Sequence, residues 1–158
     1  MRRRFIADGM LGKLAKWLRI AGYDAVYCRG AADGELAARA LAEKRTLLTR
    51  DSRLVERKEL RDFILVKSDD PFVQLKEVAA AAGLVVKKAD LFSLCLECNE
   101  KVKRVKKADV RDEVPPYVYE TQSYFRRCPS CKKLFWAGTH IENTLKLLRD
   151  LSIPIVEK

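Results

Sequence analysis

The sequence predicts an α/β fold in which a mainly parallel β-sheet is flanked by helices and followed by a small cysteine-rich module and a C-terminal helix. Three observations predict this fold. Short apolar runs alternate with helical patterns up to Asp90, two cysteine pairs follow where the alternation stops, and helical spacing returns near the end of the chain. Strands that alternate with helices of this length indicate right-handed βαβ crossovers and therefore a parallel sheet.

The first domain is predicted over residues 1–90. In its first helix, Leu11, Leu14 and Leu18 recur at helical spacing, and Gly22 is predicted to end that helix as a C-terminal cap. The predicted strands and helices alternate along the rest of the domain. Strands are predicted at residues 4–7, 25–28, 46–49 and 63–66, and helices at residues 9–21, 34–44, 54–59 and 71–82.

The second module is predicted over residues 91–158. A basic run and the turn-forming segment at residues 114–116 replace the alternating pattern there. Apolar residues return to helical spacing at residues 140–151. This last helix is expected to pack back on the first domain.

Four cysteines form two Cys-x-x-Cys pairs, Cys95 with Cys98 and Cys128 with Cys131. Each pair can direct two thiolates at one point, and two pairs complete the tetrahedral sulfur set that structural zinc prefers. We therefore expect one structural zinc ion in a small zinc ribbon. Two disulfides are the main alternative, but they are typical of oxidising compartments. Cys28 is expected to be a buried small apolar residue and is given no role.

Aspartates occur between the predicted strands and the helices that follow them. In an open parallel sheet those strand ends share one edge, which is the usual ligand site. The alternative is helix capping, a favoured role for Asp that fits Asp33 and Asp70 best. The candidate catalytic acids are Asp8, Asp33, Asp51, Asp69 and Asp70.

A cluster of such acids would need a counter-charge. Residues 1–90 contain no histidine, which excludes His-based triads there, and oxygen ligands alone favour hard cations such as Mg²⁺ or Mn²⁺. Ions of this kind activate water and stabilise the departing oxygen in phosphodiester hydrolysis. The expected metal ligands are Asp8, Asp33 and Asp51.

The formal net charge of +10 favours polyanionic partners such as nucleic acid. An ordinary basic enzyme, or solvated helix faces, would also explain the charge. Aromatic residues of the second module can stack on unpaired bases or form its core; Phe135 is expected in the core, whereas Tyr117 and Tyr119 stay open. His140 is either structural or a phosphate contact. The candidate nucleic-acid contacts are Lys13, Lys16, Arg19, Arg50, Lys101, Lys103, Arg104 and His140.

Several segments resemble one family. They are residues 5–19 (FIADGMLGKLAKWLR), residues 47–51 (LLTRD), the two Cys-x-x-Cys pairs and residues 136–140 (WAGTH). They are similar to the PIN-like RNase domain found at the C-terminus of the Mut-seven exonuclease and as stand-alone prokaryotic proteins. The resemblance implies a PIN-like fold, a fused zinc ribbon and acid-dependent, Mg²⁺- or Mn²⁺-assisted RNA cleavage. It places Asp8 and Asp51 at the motif acids and Asp33 at another, and leaves open whether Asp69 or Asp70 is the fourth.

The resulting hypothesis is a cytoplasmic, metal-dependent endoribonuclease that acts on single-stranded RNA or on unpaired regions of structured RNA. Two alternatives stay open. One is a non-catalytic RNA- or DNA-binding zinc-ribbon protein. The other is an interaction module of a ribosome or nuclease assembly. No apolar stretch approaches the roughly 20 residues of a membrane helix, so no membrane partner is expected.

Overall fold

The structure is a computed structural model that describes residues 2–158. Strands and α-helices alternate through its first half, as expected. In chain order they are β1 (Phe5–Asp8), α1 (Gly12–Ile20), β2 (Ala25–Cys28), α2 (Asp33–Ala42), β3 (Thr46–Thr49), β4 (Phe63–Leu65), α3 (Pro71–Ala82), β5 (Val86–Lys87), β6 (Lys103–Val105), α4 (Pro116–Thr121), β7 (Phe125–Arg127), β8 (Leu134–Trp136), α5 (His140–Asp150) and β9 (Ile155–Val156). Short 3₁₀ turns lie at Leu54–Glu56, Lys88–Asp90 and Lys107–Val110.

The main sheet has four parallel strands in the order β2-β1-β3-β4. The predicted fold class is therefore confirmed: an α/β body with a parallel sheet and flanking helices, followed by a four-cysteine zinc ribbon and a C-terminal helix. Because the strands are parallel, their carboxyl ends meet at one edge. We call this the acidic edge, since Asp8 ends β1 and Asp51 follows β3 there.

The helices begin where local hydrogen bonding allows. The first was predicted from residue 9, but the Leu11 N–H donates to the Asp8 carbonyl at 2.9 Å, so a turn precedes α1. Helix α3 was predicted correctly at Pro71–Ala82, because proline suits the first position of a helix. Gly22 follows α1 with φ of +83°, and a Cβ there would lie 2.7 Å from the Asp90 backbone oxygen. Glycine is therefore required at that turn.

The largest core cluster joins both ends of the chain. It combines residues of β1 and α1 with Val78 of α3 and with Leu145 and Leu148 of α5. Strand β5 also pairs in parallel with β9, with Val86 opposite Ile155. Helix α5 therefore packs against the α/β body, and the apolar surface that it covers is removed from water. The boundary at residue 90 stays a prediction.

We call the segment between β5 and α5 the ribbon. Its sheet has three antiparallel strands in the order β6-β7-β8. One side of this sheet packs on a small apolar cluster that includes Val110, Val118 and Phe125. Helix α4 and the strands β5 and β9 were not predicted. None of the helices in residues 2–158 combines the length and apolarity that a membrane crossing requires.

Candidate functional site

The two cysteine pairs lie in turns with matching hydrogen bonds. In the first turn the Asn99 N–H donates to the Cys95 carbonyl at 2.9 Å, and in the second the Lys132 N–H donates to the Cys128 carbonyl at 3.1 Å. Asn99 and Lys132, each directly after the second cysteine of its pair, have left-handed backbones with φ of +62° and +66°. Each turn thus presents its two sulfurs to the same side.

The four sulfurs meet at one point. Their atoms all lie within 4.8 Å of one another, and the Cys95 and Cys131 Sγ atoms are 3.7 Å apart. A disulfide would require about 2.05 Å, whereas two sulfurs bound to one tetrahedral zinc at about 2.3 Å each would lie roughly 3.8 Å apart. The donor set and its spacing therefore fit one zinc ion, and all five cysteines are free thiols.

The thiols differ in acidity. Burial raises the pKa of Cys95, and the neighbouring Cys131 thiol raises the pKa of Cys98 to about 12. Burial also acts to raise the pKa of Cys128, but the backbone N–H groups of Cys131 and Ser130 outweigh it and bring that pKa to about 7. Zinc binding displaces such protons, so occupancy of this site depends on pH.

Two acids of the acidic edge are linked by Thr49. Its hydroxyl donates to Asp8 Oδ2 at 2.8 Å and accepts from the Asp51 N–H at 3.0 Å. The Gly9 N–H donates to the other oxygen of Asp8, and the Arg53 N–H donates to Asp51 Oδ1. Both acids are only partly buried. Their carboxylates are therefore oriented by hydrogen bonds and still open to solvent.

The other three acids are exposed. Asp70 caps α3, since Oδ1 accepts from the Phe72 N–H at 2.8 Å and from the Val73 N–H at 3.4 Å. Capping was also expected of Asp33, and there it is wrong: the N-cap of α2 is Ala32, and no side chain caps that helix. Asp69 directly precedes the Asp70 cap.

The aspartates do not close into a compact metal cage. Within residues 2–158, the four cysteines are the one group of three or more ligand-type side chains that converges. Of the five candidate aspartates, Asp8 and Asp51 are the pair that shares a hydrogen-bonding partner, the Thr49 hydroxyl. Thr49 was missed because it carries no charge, although its place at the end of a buried strand beside Asp51 was a usable signal.

Of the three basic residues of α1 that were predicted to contact nucleic acid, two lie on the surface. Lys13 and Lys16 are exposed, but Arg19 is only 6% exposed, so its assignment as a nucleic-acid contact is wrong. Residues three apart drift by about 60° around a helix, so Arg19 has turned inward. Its guanidinium donates to the Ala25 carbonyl at 2.8 Å and to the Leu96 carbonyl at 2.6 Å. Arg19 therefore joins the ribbon to the body.

The remaining predicted contacts lie on the surface. Arg50 is exposed beside Asp51, and Lys16 forms an ion pair with Glu97 at 3.1 Å. In the ribbon Lys101, Lys103 and Arg104 are exposed, as is His140 at the start of α5.

The ribbon sheet places like charges opposite one another. Lys103 is paired with Arg127 and Arg104 with Arg126. Such pairs are unfavourable across a sheet. The charge of Arg127 is balanced by an ion pair with Glu113 at 2.6 Å. Arg104 and Arg126 instead both lie over the Tyr124 ring, at 4.7 and 5.1 Å from its centroid. A bound polyanion would relieve the remaining repulsion.

The aromatic residues of the ribbon divide as their burial dictates. Phe135 packs beside the cysteine cluster, as expected. Tyr119 packs on the ribbon core and is covered by Lys107 at 4.7 Å. Tyr117 is 73% exposed. Tyr119 is thus occupied by protein contacts, whereas Tyr117 stays open to solvent.

Asn99 was missed as a docking residue. Its Oδ1 accepts from the Ala25 N–H at 3.1 Å, and its Nδ2 donates to Asp24 Oδ1 at 2.6 Å. The same Asp24 oxygen accepts from Arg45 at 2.7 Å. Burial acts to raise the pKa of Asp24, but the hydrogen bonds from Arg45 and Asn99 outweigh it and hold that pKa below its usual value. The first cysteine turn is thereby fixed to the start of β2.

Comparison with known proteins gives one family. The Mut7-C RNAse domain family matches residues 3–148, which is nearly the whole chain and includes both the acidic edge and the cysteine site. Searches of curated proteins and of solved structures found no match. The family name suggests a nuclease-like function. On the extent of this match, the chain belongs to the Mut7-C RNAse domain family.

Proposed function

We propose that the protein is a metal-dependent ribonuclease that hydrolyses phosphodiester bonds at the acidic edge, as a PIN-like nuclease does. The observation that carries the proposal is the Thr49 hydroxyl, which binds both the Asp8 carboxylate and the Asp51 backbone at the carboxyl end of the sheet. Family membership supports the reaction class. The acids supply the chemistry, and Thr49 sets their relative position.

The carboxylates of Asp8 and Asp51 fit a hard cation. Each has oxygen lone pairs left after the hydrogen bonds to Thr49, Gly9 and Arg53, and oxygen donors are what Mg²⁺ and Mn²⁺ prefer. Bound there, such an ion would supply water activation and charge neutralisation at the scissile phosphate. The Thr49 hydrogen bond fixes the orientation of the Asp8 carboxylate at this edge.

We assign supplementary roles to the exposed acids. Asp33 begins α2 at the same edge and has no capping bond to satisfy, so its carboxylate can turn toward a cation. Asp69 is the better fourth acid, because one oxygen of Asp70 already caps α3. These two residues are proposed to complete the ligand set when substrate binds.

The basic surface is proposed to hold RNA. Lys13 and Lys16 lie on the helix that starts beside Asp8, and Arg50 precedes Asp51, so phosphates near the acidic edge would meet cations. We propose cleavage within the RNA chain, because the partly exposed carboxylates of Asp8 and Asp51 can be reached without an RNA end. We also propose a cytoplasmic location, since free thiols such as the five cysteines are typical of a reducing compartment.

The test is cleavage of labelled single-stranded RNA by zinc-loaded protein, with and without Mg²⁺ or Mn²⁺. Asp8→Asn and Asp51→Asn should each lose metal-dependent cleavage while keeping their zinc. Asp112→Asn, an exposed acid of the ribbon, is the matched control and should cleave normally. A circular RNA substrate separates endonucleolytic from exonucleolytic cleavage, because it has no ends.

A non-catalytic RNA-binding protein is the second candidate, and one observation favours it. Within the described chain no three carboxylates converge on one point. This candidate predicts RNA binding that is independent of Mg²⁺, with no cleavage of RNA or DNA. An interaction module for a ribosome or nuclease assembly predicts weak affinity for naked RNA.

A further inference from the structure

A cleft of about 430 Å³ lies between the ribbon sheet and the α/β body. One wall is formed by Tyr124, Arg126 and Phe135 of the ribbon. The opposite wall comes from Trp17 of α1 and from His140, Ile141 and Thr144 at the start of α5, and Phe92, near the start of the ribbon, completes the lining. The cleft is lined by none of the four cysteines and by none of the acids of the acidic edge, although Phe135 also packs beside the cysteine cluster.

Its lining combines aromatic rings with positive charge. Trp17, Phe92, Tyr124, Phe135 and Trp136 all contribute. The lining residues that can carry a positive charge are Arg126, Lys133 and His140, and the described lining includes no carboxylic acid. Binding of an apolar protein segment would not require positively charged side chains in the lining. Aromatic faces beside cations are instead what unpaired nucleobases and their phosphates bind.

Helix α1 connects this cleft to the acidic edge. The helix starts at Gly12, four residues after Asp8, and Trp17 follows Gly12 by about 7.5 Å of helix rise. Lys13 lies one turn before Trp17 on the same side. A nucleic-acid strand that passes the acidic edge can therefore follow Lys13 to the cleft.

We infer that the cleft binds an unpaired nucleotide of a single-stranded RNA, with its base against the aromatic wall and its phosphate beside Arg126 and Lys133. The inference rests on the proposed function for the identity of the polymer, but not for cleavage. The cleft between ribbon and body would then select single strands, because a paired base cannot insert between its aromatic rings.

The chain carries its own probe for this binding. It has two tryptophans, Trp17 and Trp136, and both line the cleft. A base that enters should quench their fluorescence. Zinc-loaded protein is titrated, without Mg²⁺ or Mn²⁺, with a single-stranded RNA octamer, with the duplex of the same sequence and with an abasic oligonucleotide of equal charge.

The expected result is saturable quenching by the single strand and little by the duplex or the abasic strand. Phe135→Leu should weaken binding about fivefold or more, since one stacking contact is worth about 1 kcal/mol or more. Arg126→Gln should weaken it as well. Phe63→Leu and Arg111→Gln, outside the cleft, are the matched controls and should bind as wild type. Zinc content and melting temperature check that each variant is folded.

Two results of the titration itself would contradict nucleotide binding in the cleft. One is equal quenching by the single strand and the abasic strand, which would show that charge alone drives binding. The other is quenching by an apolar peptide but not by RNA, which would make the cleft a protein-binding site. Cleavage of RNA without quenching would contradict nucleotide binding in the cleft but would still support the proposed nuclease. Quenching without cleavage would support nucleotide binding in the cleft and contradict the proposed nuclease.

Discussion

The α/β body and the ribbon are stabilised by different means. The body buries a continuous apolar cluster from β1, α1, α3 and α5, and burial of that kind is sufficient for a domain of this size. The ribbon has two small clusters, one of them built around Cys95 and Cys128. The body can therefore fold on burial of apolar surface, whereas the ribbon depends on its metal and on its contacts with the body.

The largest effect is expected from Cys128→Ser. One thiolate ligand is lost, so zinc affinity should collapse and the ribbon should unfold, because a module of this size obtains its ordering free energy from the metal. Amide hydrogen exchange should rise throughout β6–β8 and stay low in β1 and β3. Cys28→Ser, outside the cluster, is the control. Equal loss of protection in both regions would contradict the division.

Truncation of a core side chain should have the opposite effect: the body should lose stability and the zinc site should stay intact. Leu75 of α3 is 1% exposed, so Leu75→Ala is expected to lower the free energy of unfolding of the body by about 2–5 kcal/mol. Zinc content should be unchanged. Chemical denaturation measures the loss, and Leu41→Ala, at a side chain 63% exposed, should cost little. Zinc loss in Leu75→Ala without unfolding of the body would show that the two regions are not separable.

Asn99→Gly tests the joint between the two regions. Glycine keeps the left-handed backbone but removes the hydrogen bonds to Ala25 and Asp24, so a loss of about 1–3 kcal/mol is expected. Lys132→Gly at the equivalent position of the second turn is the matched control, and it should be near neutral. Similar losses of stability in both variants would mean that the substitutions act on the cysteine turns themselves and not on the contact between ribbon and body.

Low pH should weaken the same contact between ribbon and body, with a smaller loss of stability. The pKa of Asp24 is lowered in the folded protein by its hydrogen bonds to Arg45 and Asn99, against the opposing effect of burial. Its stabilisation is therefore fully present above the unfolded pKa of about 3.8 and is lost as pH falls below it. Asp24→Asn should flatten the pH dependence of unfolding in this range. An unchanged slope would contradict the assignment.

The sequence predicted what depends on local pattern. Strand Ala25–Cys28 and helix Pro71–Ala82 follow from apolar spacing and from proline at the helix start. The cysteine site follows from two pairs of fixed spacing. These features are encoded in neighbouring residues, so periodicity and motif spacing are sufficient to find them.

Long-range contacts could not be predicted in this way. Arg19 was predicted to be an exposed cation, because its spacing of three residues from Lys16 does not reveal that its side chain turns into the interface between the body and the ribbon. Asn99 and Asp24 meet across 75 positions of the chain, and Thr49 binds Asp8 across 41. Such pairs are set by how the strands and the ribbon come together, which no local pattern encodes.

The most direct test of the central claim compares two threonines at opposite ends of β3. Thr49 binds Asp8 at the acidic edge, whereas the Thr46 hydroxyl donates to Asp62 at 2.8 Å at the other end of the strand. Each Thr→Val change keeps the shape and removes one hydroxyl. In Mn²⁺-dependent cleavage of single-stranded RNA, we predict that Thr49→Val is strongly impaired and that Thr46→Val cleaves like wild type. Equal rates in both variants, or no cleavage by wild type, would contradict a nuclease site built on Asp8, Thr49 and Asp51.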